Sequence, residues 1–441
     1  MVAVTDTLDR TDSPTPTVAA PAWHPVTRVA FRFCFIYFGL FCLWFAQITF
    51  VFTGILGRLL PDDAVIWQMT LIEPITGWVG RHVFGVDAVL HRDSGSGDQA
   101  AIWVMVFCGL IVSAVATAVW TVLDRRRIAY ARLSAWFMVF LRMCLGGQML
   151  FYGVAKVIPT QMPEPPLQAL LQPYGLFSPA SVLWLQVGSS HPYEMMLGTI
   201  EVVGGLLLFW PRTATLGALV SLASMAQVFT LNMTYDVPVK LLSLHLLLMS
   251  LVLLAPQARR LANVVVLERP SEPASQPLLF RTTRANRIAA WVQAGLGAWA
   301  LIGCVALGWQ DWHEYGGGRD KPQLYGIWSV TGFTVEGKPV PPLTTDENRW
   351  QRVVFDEPGV MTYQRMDGEL VPTPAEVDDD TVALPELRAT FTFHRPAADR
   401  LRLDGHIDGR RATLSLQQVD LDSFTLRSRG FHWVQDYPYF R

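Results

Sequence analysis

The chain of 441 residues is 51% hydrophobic and only 16% charged, whereas an ordinary soluble domain carries charge on about a quarter of its residues. That composition excludes a plain soluble enzyme and points to a membrane protein. A net charge of −2 offers no basic surface for nucleic acid, and Cys34, Cys42, Cys108, Cys144 and Cys304 all fall in apolar runs, which argues against a disulfide framework or a cysteine zinc site.

Residues 1–27 begin with a stretch rich in Thr, Asp, Pro and Ala and lack the basic-then-apolar order of a secretory signal. They are expected to form a disordered cytoplasmic tail. Residues 28–310 read as a helical membrane domain. Seven segments in it are apolar enough to cross roughly 30 Å of hydrocarbon: about Val29–Ile55, Ala101–Leu123, Ser134–Val157, Glu194–Trp210, Thr213–Leu231, Lys240–Ala255 and Ile288–Trp309.

Short cytoplasmic loops retain Lys and Arg. Arg28, Arg125 to Arg127, Arg132, Arg212, Arg259, Arg260, Arg281, Arg284 and Arg287 all fall at one set of span ends, while the loops Met162–His191 and Asn232–Val239 contain no Lys or Arg. This places the N-terminus inside and the C-terminus outside. In the first outer loop, Val65 to Phe84 alternates Trp, Ile, Leu and Val with polar residues, as an interfacial or re-entrant helix does. Prolines break the second outer loop, and together the two loops are expected to roof a cavity open to the outer face.

Residues 311–321, with Gly316 to Gly318, form a linker, after which the pattern period changes from helical to about two. Leu324–Val335, Trp350–Phe355, Val360–Arg365, Leu387–Phe393, Leu401–Ile407, Ala412–Gln418 and Phe424–Ser428 read as strands. An antiparallel, barrel-like extracytoplasmic domain over 322–441 is the expectation. Gly326-Ile327-Trp328 resembles the Gly-x-Trp opening of lipocalin-like barrels, a resemblance that implies an arginine, here Arg427, covering the tryptophan.

Charged groups inside the spans are the functional signal, because burying an ion in hydrocarbon costs about 2.5 kcal/mol or more. Arg142, Gly146, Met149, Tyr152 and Lys156 follow steps of three or four on one stripe of the third span. Helical rise puts Arg142 about 12 Å from the inner end and Lys156 near the outer surface. Glu201, in the fourth span, is within reach of either cation, and Gly204-Gly205 below it permits close helix approach. A second cluster, Asn232, Tyr235, Asp236, Lys240, Ser243 and His245, surrounds a tight outer turn. Asp236 and Lys240 are spaced to pair, whereas His245 lies about 140° around the helix from Lys240. The alternatives are helix-to-helix pairing and chemistry: Glu201, Asp236 and His245 as proton-handling catalytic groups, with Arg142, Tyr152, Lys156, Asn232, Tyr235 and Lys240 binding an anion or quinone head group. No phosphate loop, nucleophile elbow or zinc-helix motif is present, and the spacing of His82, His91 and His191 specifies no metal.

Around Leu141-Arg142-Met143, Tyr152-Gly153-Val154-Ala155-Lys156, Ile200-Glu201-Val202-Val203-Gly204-Gly205 and Tyr235-Asp236-Val237-Pro238-Val239-Lys240, the chain resembles DoxX-like membrane proteins over roughly Phe137 to Pro256. The resemblance implies a four-helix core in a bacterial inner membrane. It also implies redox chemistry with a quinone acceptor beside a partner redox subunit. A distant similarity to the membrane core of vitamin K-dependent carboxylases points to the same ligand class. Three readings follow: an oxidoreductase or oxidoreductase subunit using a quinone-type lipid, a non-enzymatic scaffold presenting a lipid- or protein-binding β domain, and a small-solute transporter. The last has no broken helix pair in repeated positions behind it.

Overall fold

The computed structural model describes residues 22–271 and 278–440, so the expected tail falls outside it up to residue 21. Among those residues seven helices are long and apolar enough to cross a membrane. In chain order the helices are α1 (Pro25–Trp44), α2 (Gln47–Phe50), α3 (Trp67–Val79), α4 (Ala100–Leu123), α5 (Ala131–Val157), α6 (Pro179–Gly188), α7 (His191–Phe209), α8 (Ala214–Thr234), α9 (Lys240–Leu254), α10 (Ala258–Val265), α11 (Thr283–Glu314) and α12 (Thr425–Ser428). The bundle turns Val112, Val115, Val119, Ile302 and Val305 outward, as lipid-facing helices do. This is a multi-pass membrane architecture. Its central element is α5, 72% of whose most apolar stretch is buried, against 28–44% for the other six.

The first span departs from the sequence reading. The apolar run continues to Ile55, but helix α1 ends at Trp44, Phe45 leaves helical geometry (φ −79°, ψ 78°), and α2 and a tight 3-10 segment Val51–Leu59 follow. Gly54 (φ 57°, ψ −137°) turns the backbone hard against Gly303 and Trp299 of α11. A side chain would oppose both that conformation and that approach. In the loop after the first span, α3 exposes Trp67, Leu71, Ile75 and Trp78, at steps of four, four and three, and buries Met69, Thr76 and Gly77. A helix therefore forms where the alternating pattern suggested one, with an apolar stripe left uncovered.

Near the arginine-rich ends, Arg32 of α1 is buried but fully engaged. It donates to Tyr130 Oη at 2.9 and 2.7 Å, to Thr121 Oγ1 at 2.9 Å and to the Asp124 carbonyl at 3.2 Å. The Tyr130 hydroxyl in turn donates a hydrogen bond to Asp124 Oδ2 at 2.8 Å. All five cysteines are free thiols.

Ten strands follow: β1 (Gly326–Val335), β2 (Lys338–Pro339), β3 (Trp350–Phe355), β4 (Val360–Arg365), β5 (Leu370–Pro374), β6 (Glu376–Val377), β7 (Thr381–Leu384), β8 (Ala389–Ala397), β9 (Arg400–Ile407) and β10 (Arg410–Gln418). They pair in the order β5-β4-β3-β1-β10-β9-β8-β7-β6, with β2 beside β1. Only Ala375 separates the two end strands, so this one run of chain serves both edges and the sheet comes nearly to closure as a barrel. Asp408 and Gly409, both at positive φ (47° and 76°), make the two-residue turn between β9 and β10, the form whose twist matches antiparallel strands. Trp328, Phe355 and Phe391 are fully buried, and with Val353, Met361 and Leu414 they fill the interior with side chains.

Two expectations about the chain's end are corrected. Phe424–Ser428 is not a strand but a turn and the short helix α12, because the sheet's edges are already taken. Arg427 therefore does not cover Trp328. It pairs with Glu164 at 3.2 Å, and Arg395 from β8 lies 5.6 Å from the Trp328 ring centre instead.

The barrel is docked rather than tethered. Gly316, Gly317 and Gly318 wrap Trp312 so closely that a Cβ would collide with its backbone at Gly316 and with its ring at Gly317 and Gly318. Asp356, just past the end of β3, accepts from Arg319 at 3.1 Å and from the Leu167 backbone N–H at 2.9 Å. Leu167 itself is buried against Ile327 and Val354. Hydrogen bonds to charged groups contribute about 1.5–3 kcal/mol each. Asp356→Ala is expected to raise amide exchange in residues 160–172 at least tenfold, read by hydrogen–deuterium exchange, with exchange in β8 to β10 unchanged.

Candidate functional site

The site lies in a ring of four helices: α5 packs on α7, α7 on α8, α8 on α9, and α9 back on α5. Glycines bring the antiparallel pair α5 and α7 together. Gly153 faces Gly198 and Gly146 faces Gly205, two matched positions one heptad apart on each helix. A Cβ on Gly198 would come within 2.7 Å of both Lys156 Cβ and the Val157 nitrogen. This contact sets Lys156 and Glu201 opposite each other.

Lys156 Nζ donates to Glu201 Oε2 at 2.7 Å, with side-chain exposures of 7% and 2%. Lys156 therefore does not snorkel to the surface, and Arg142 plays no part in the pair. Ser224 Oγ donates to Glu201 Oε1 at 3.4 Å. Tyr152 lies one turn below, its ring centre 5.8 Å from Lys156 Nζ, and its hydroxyl accepts from Gln47 Nε2 at 2.8 Å. On the opposite wall Asn232 Nδ2 donates to Ser243 Oγ at 3.0 Å. Tyr152, Lys156, Glu201, Asn232 and Ser243 all face one chamber of about 80 Å³, whose other walls are mostly apolar and whose roof includes Met162 and Trp184. Tyr235 packs at that roof beside Val237.

The remaining predicted residues are not brought to this chamber. Arg142 lies about 21 Å down α5 from Lys156 by helical rise, hydrogen-bonded to Gln293 of α11. Asp236 is 84% exposed and pairs with Lys240 at 2.9 Å on the turn itself, an exposed bridge worth at most about 1 kcal/mol. His245 is buried on the α1 side of α9. Its Nδ1 lies 2.6 Å from the Leu241 carbonyl, which can only accept, so Nδ1 holds the proton. Nε2 lies 2.6 Å from Tyr37 Oη in a second hydrogen bond, and the ring stacks on Phe41 at 3.8 Å. His245 thus ties α9 to α1.

Three participants escaped the sequence reading. Glu194 is fully buried at the start of α7; Oε1 accepts from the Met162 N–H at 3.1 Å, and Oε2 has no hydrogen-bond partner among the described residues. Its seven-residue spacing from Glu201 across Gly198 was the available signal. Gln148, buried on α5, donates to the Gln47 carbonyl at 3.1 Å and so supports the Tyr152 contact. Asp98 accepts from the backbone N–H groups of Lys240 and Leu241 at 2.8 and 2.9 Å, capping α9 from a distant loop. Nothing local in the sequence marks that role.

No family model matches the chain, and no solved structure does. It is 31% identical over 125 residues to the uncharacterized protein YwoB of Bacillus subtilis (strain 168), a match spanning 28% of this chain and 78% of that protein. The chain belongs to the YwoB family. That kinship covers less than a third of the chain, and the relative's name assigns no chemistry.

Proposed function

We propose that the chain is a DoxX-like membrane oxidoreductase, or a subunit of one, that takes the head group of a quinone-type lipid into the α5–α7–α8–α9 chamber. In this reading it lies in a bacterial inner membrane with its N-terminus cytoplasmic and the barrel extracytoplasmic. One observation carries the proposal: a buried ion pair, a tyrosine and an amide–hydroxyl pair from four helices face a single apolar-walled space. Such walls suit the ring and tail of a quinone, and the polar groups suit its oxygens. Reducing a quinone to a quinol takes two electrons, supplied here by a partner redox subunit, and two protons, delivered past Lys156 and Glu201.

Size sets a condition on this reading. The chamber of about 80 Å³ is roughly half the 150 Å³ that accepts a benzene ring. A quinone ring enters only when the roof at Gln161 and Met162 lifts.

The second reading, a non-enzymatic scaffold that presents a lipid- or protein-binding barrel, is favoured by the mutual satisfaction of Lys156 and Glu201 and by the barrel's docking on the bundle. The double variant Lys156→Met/Glu201→Leu separates the two, because exchanging a whole buried pair for apolar side chains is often neutral for stability. We expect it to fold like the parent and to lose at least tenfold in affinity for a short-chain ubiquinol analogue, measured on purified protein in detergent. Unchanged affinity in the folded variant removes the quinone reading and leaves the scaffold.

A further inference from the structure

Arg142 stands apart from every other buried cation in the bundle. Lys156 has Glu201 and Arg32 has its ring of oxygens, but Arg142 is only 5% exposed, and among the described residues its one hydrogen-bond partner is the neutral Gln293 and its Nε has none. Among the described residues it makes no ion pair. A guanidinium held in a low-dielectric interior without a counter-charge is unfavourable by several kcal/mol, so an anion supplied from outside is the missing part.

The space for one adjoins it. Arg142 lines a cavity of about 810 Å³ between α1, α5, the start of α8 and the end of α9. That volume falls within the roughly 300–1,000 Å³ of small-molecule sites. Phe31, Phe137, Met138, Val139 and Leu253 give it mainly apolar walls. The cavity reaches Ala131, Ala214 and Gln257, which Arg132, Arg212 and Arg259, all exposed, adjoin within two residues along the chain, and basic side chains near a cavity mouth concentrate anions from solution or from a membrane surface. It shares no lining residue with the Lys156–Glu201 chamber.

We infer that this cavity is a second site, independent of the proposed quinone chamber, for an amphiphilic anion: a carboxylate or phosphate on an apolar body. The acidic head forms paired hydrogen bonds with the Arg142 guanidinium, whose planar fork fits both groups, and the apolar body lies along the walls toward the cavity mouth. The shared chemistry admits two sources, a free fatty acid or an anionic membrane lipid.

The test uses the full chain in nanodiscs of phosphatidylcholine, titrated with dodecanoate and, separately, with dodecanol. We expect dodecanoate to bind at least tenfold more tightly than dodecanol, Arg142→Met to remove that preference, and Arg142→Lys to keep part of it. Met138→Trp, which fills the cavity and leaves the charge, should block binding, so the result does not depend on Arg142→Met folding well. Lys156→Met/Glu201→Leu should bind dodecanoate as the parent does. Equal binding of acid and alcohol, or full binding by folded Arg142→Met, overturns the inference. Loss of binding in Lys156→Met/Glu201→Leu also overturns it, by showing one site rather than two. Native mass spectrometry after adding phosphatidylglycerol identifies the source: retention by the parent and release by dodecanoate assigns a membrane lipid, and no retention assigns the free acid.

Discussion

Gly198→Val is expected to leave little folded protein. At this position even a methyl group would sit within 2.7 Å of Lys156 Cβ and of the Val157 backbone nitrogen, and it would also press on the Gly153 carbonyl. Real Cβ atoms essentially never come within 3.0 Å of such neighbours, and two of the three obstacles are backbone, which cannot rotate away. Overpacking costs about 1–3 kcal/mol where side chains can adjust, and here they cannot. Separating α5 from α7 also draws Lys156 off Glu201. Size-exclusion profiles of detergent extracts should show the monodisperse peak reduced severalfold. Gly295→Val, where the added carbon meets nothing within 4 Å beyond its own stretch of helix backbone, should leave the peak intact. A normal peak for Gly198→Val would show that the seam does not hold the bundle.

Glu201→Leu is expected to destabilise the bundle by about 3–5 kcal/mol, because it leaves a buried ammonium unpaired. At 2.7 Å and an effective dielectric of 20, the Coulomb attraction is roughly 6 kcal/mol. Desolvating the two ions costs several kcal/mol each. The pair as a whole therefore comes out close to even, and the large penalty belongs to half of it. Adding Lys156→Met should recover most of the loss, read as thermal unfolding midpoints of parent, single and double variants. If the double variant is no more stable than Glu201→Leu, the ion pair is not what the single change disturbs.

What could be read from the sequence divides along physical lines. Hydropathy located all seven spans because crossing hydrocarbon demands length and apolarity together. It missed the break after Trp44, where both sides of the kink are equally apolar and only packing on Gly303 and Trp299 distinguishes them. Period-two alternation found the long strands. The short β5, with Pro372 and Pro374, and the two-residue β6 gave no such signal, although they bring the sheet's ends together. At the site, helical spacing on α5 put Lys156 and Tyr152 on one wall, and Glu201 was the acid they needed. The same spacing wrongly suggested a shared chamber for Arg142, since a stripe along a helix says nothing of depth. His245 and Asp236 were chosen by residue type, and their partners, Tyr37 for one and Lys240 on an exposed turn for the other, follow from tertiary packing and turn geometry.

The chain from Met162 to Leu167 is anchored at both ends, to Glu194 on the bundle side and to Asp356 on the barrel side, while Glu164 between them holds Arg427. It works as a strut. Any load that tilts the barrel is transmitted along it to the ceiling above Lys156, and any guest that raises that ceiling must push the barrel in return.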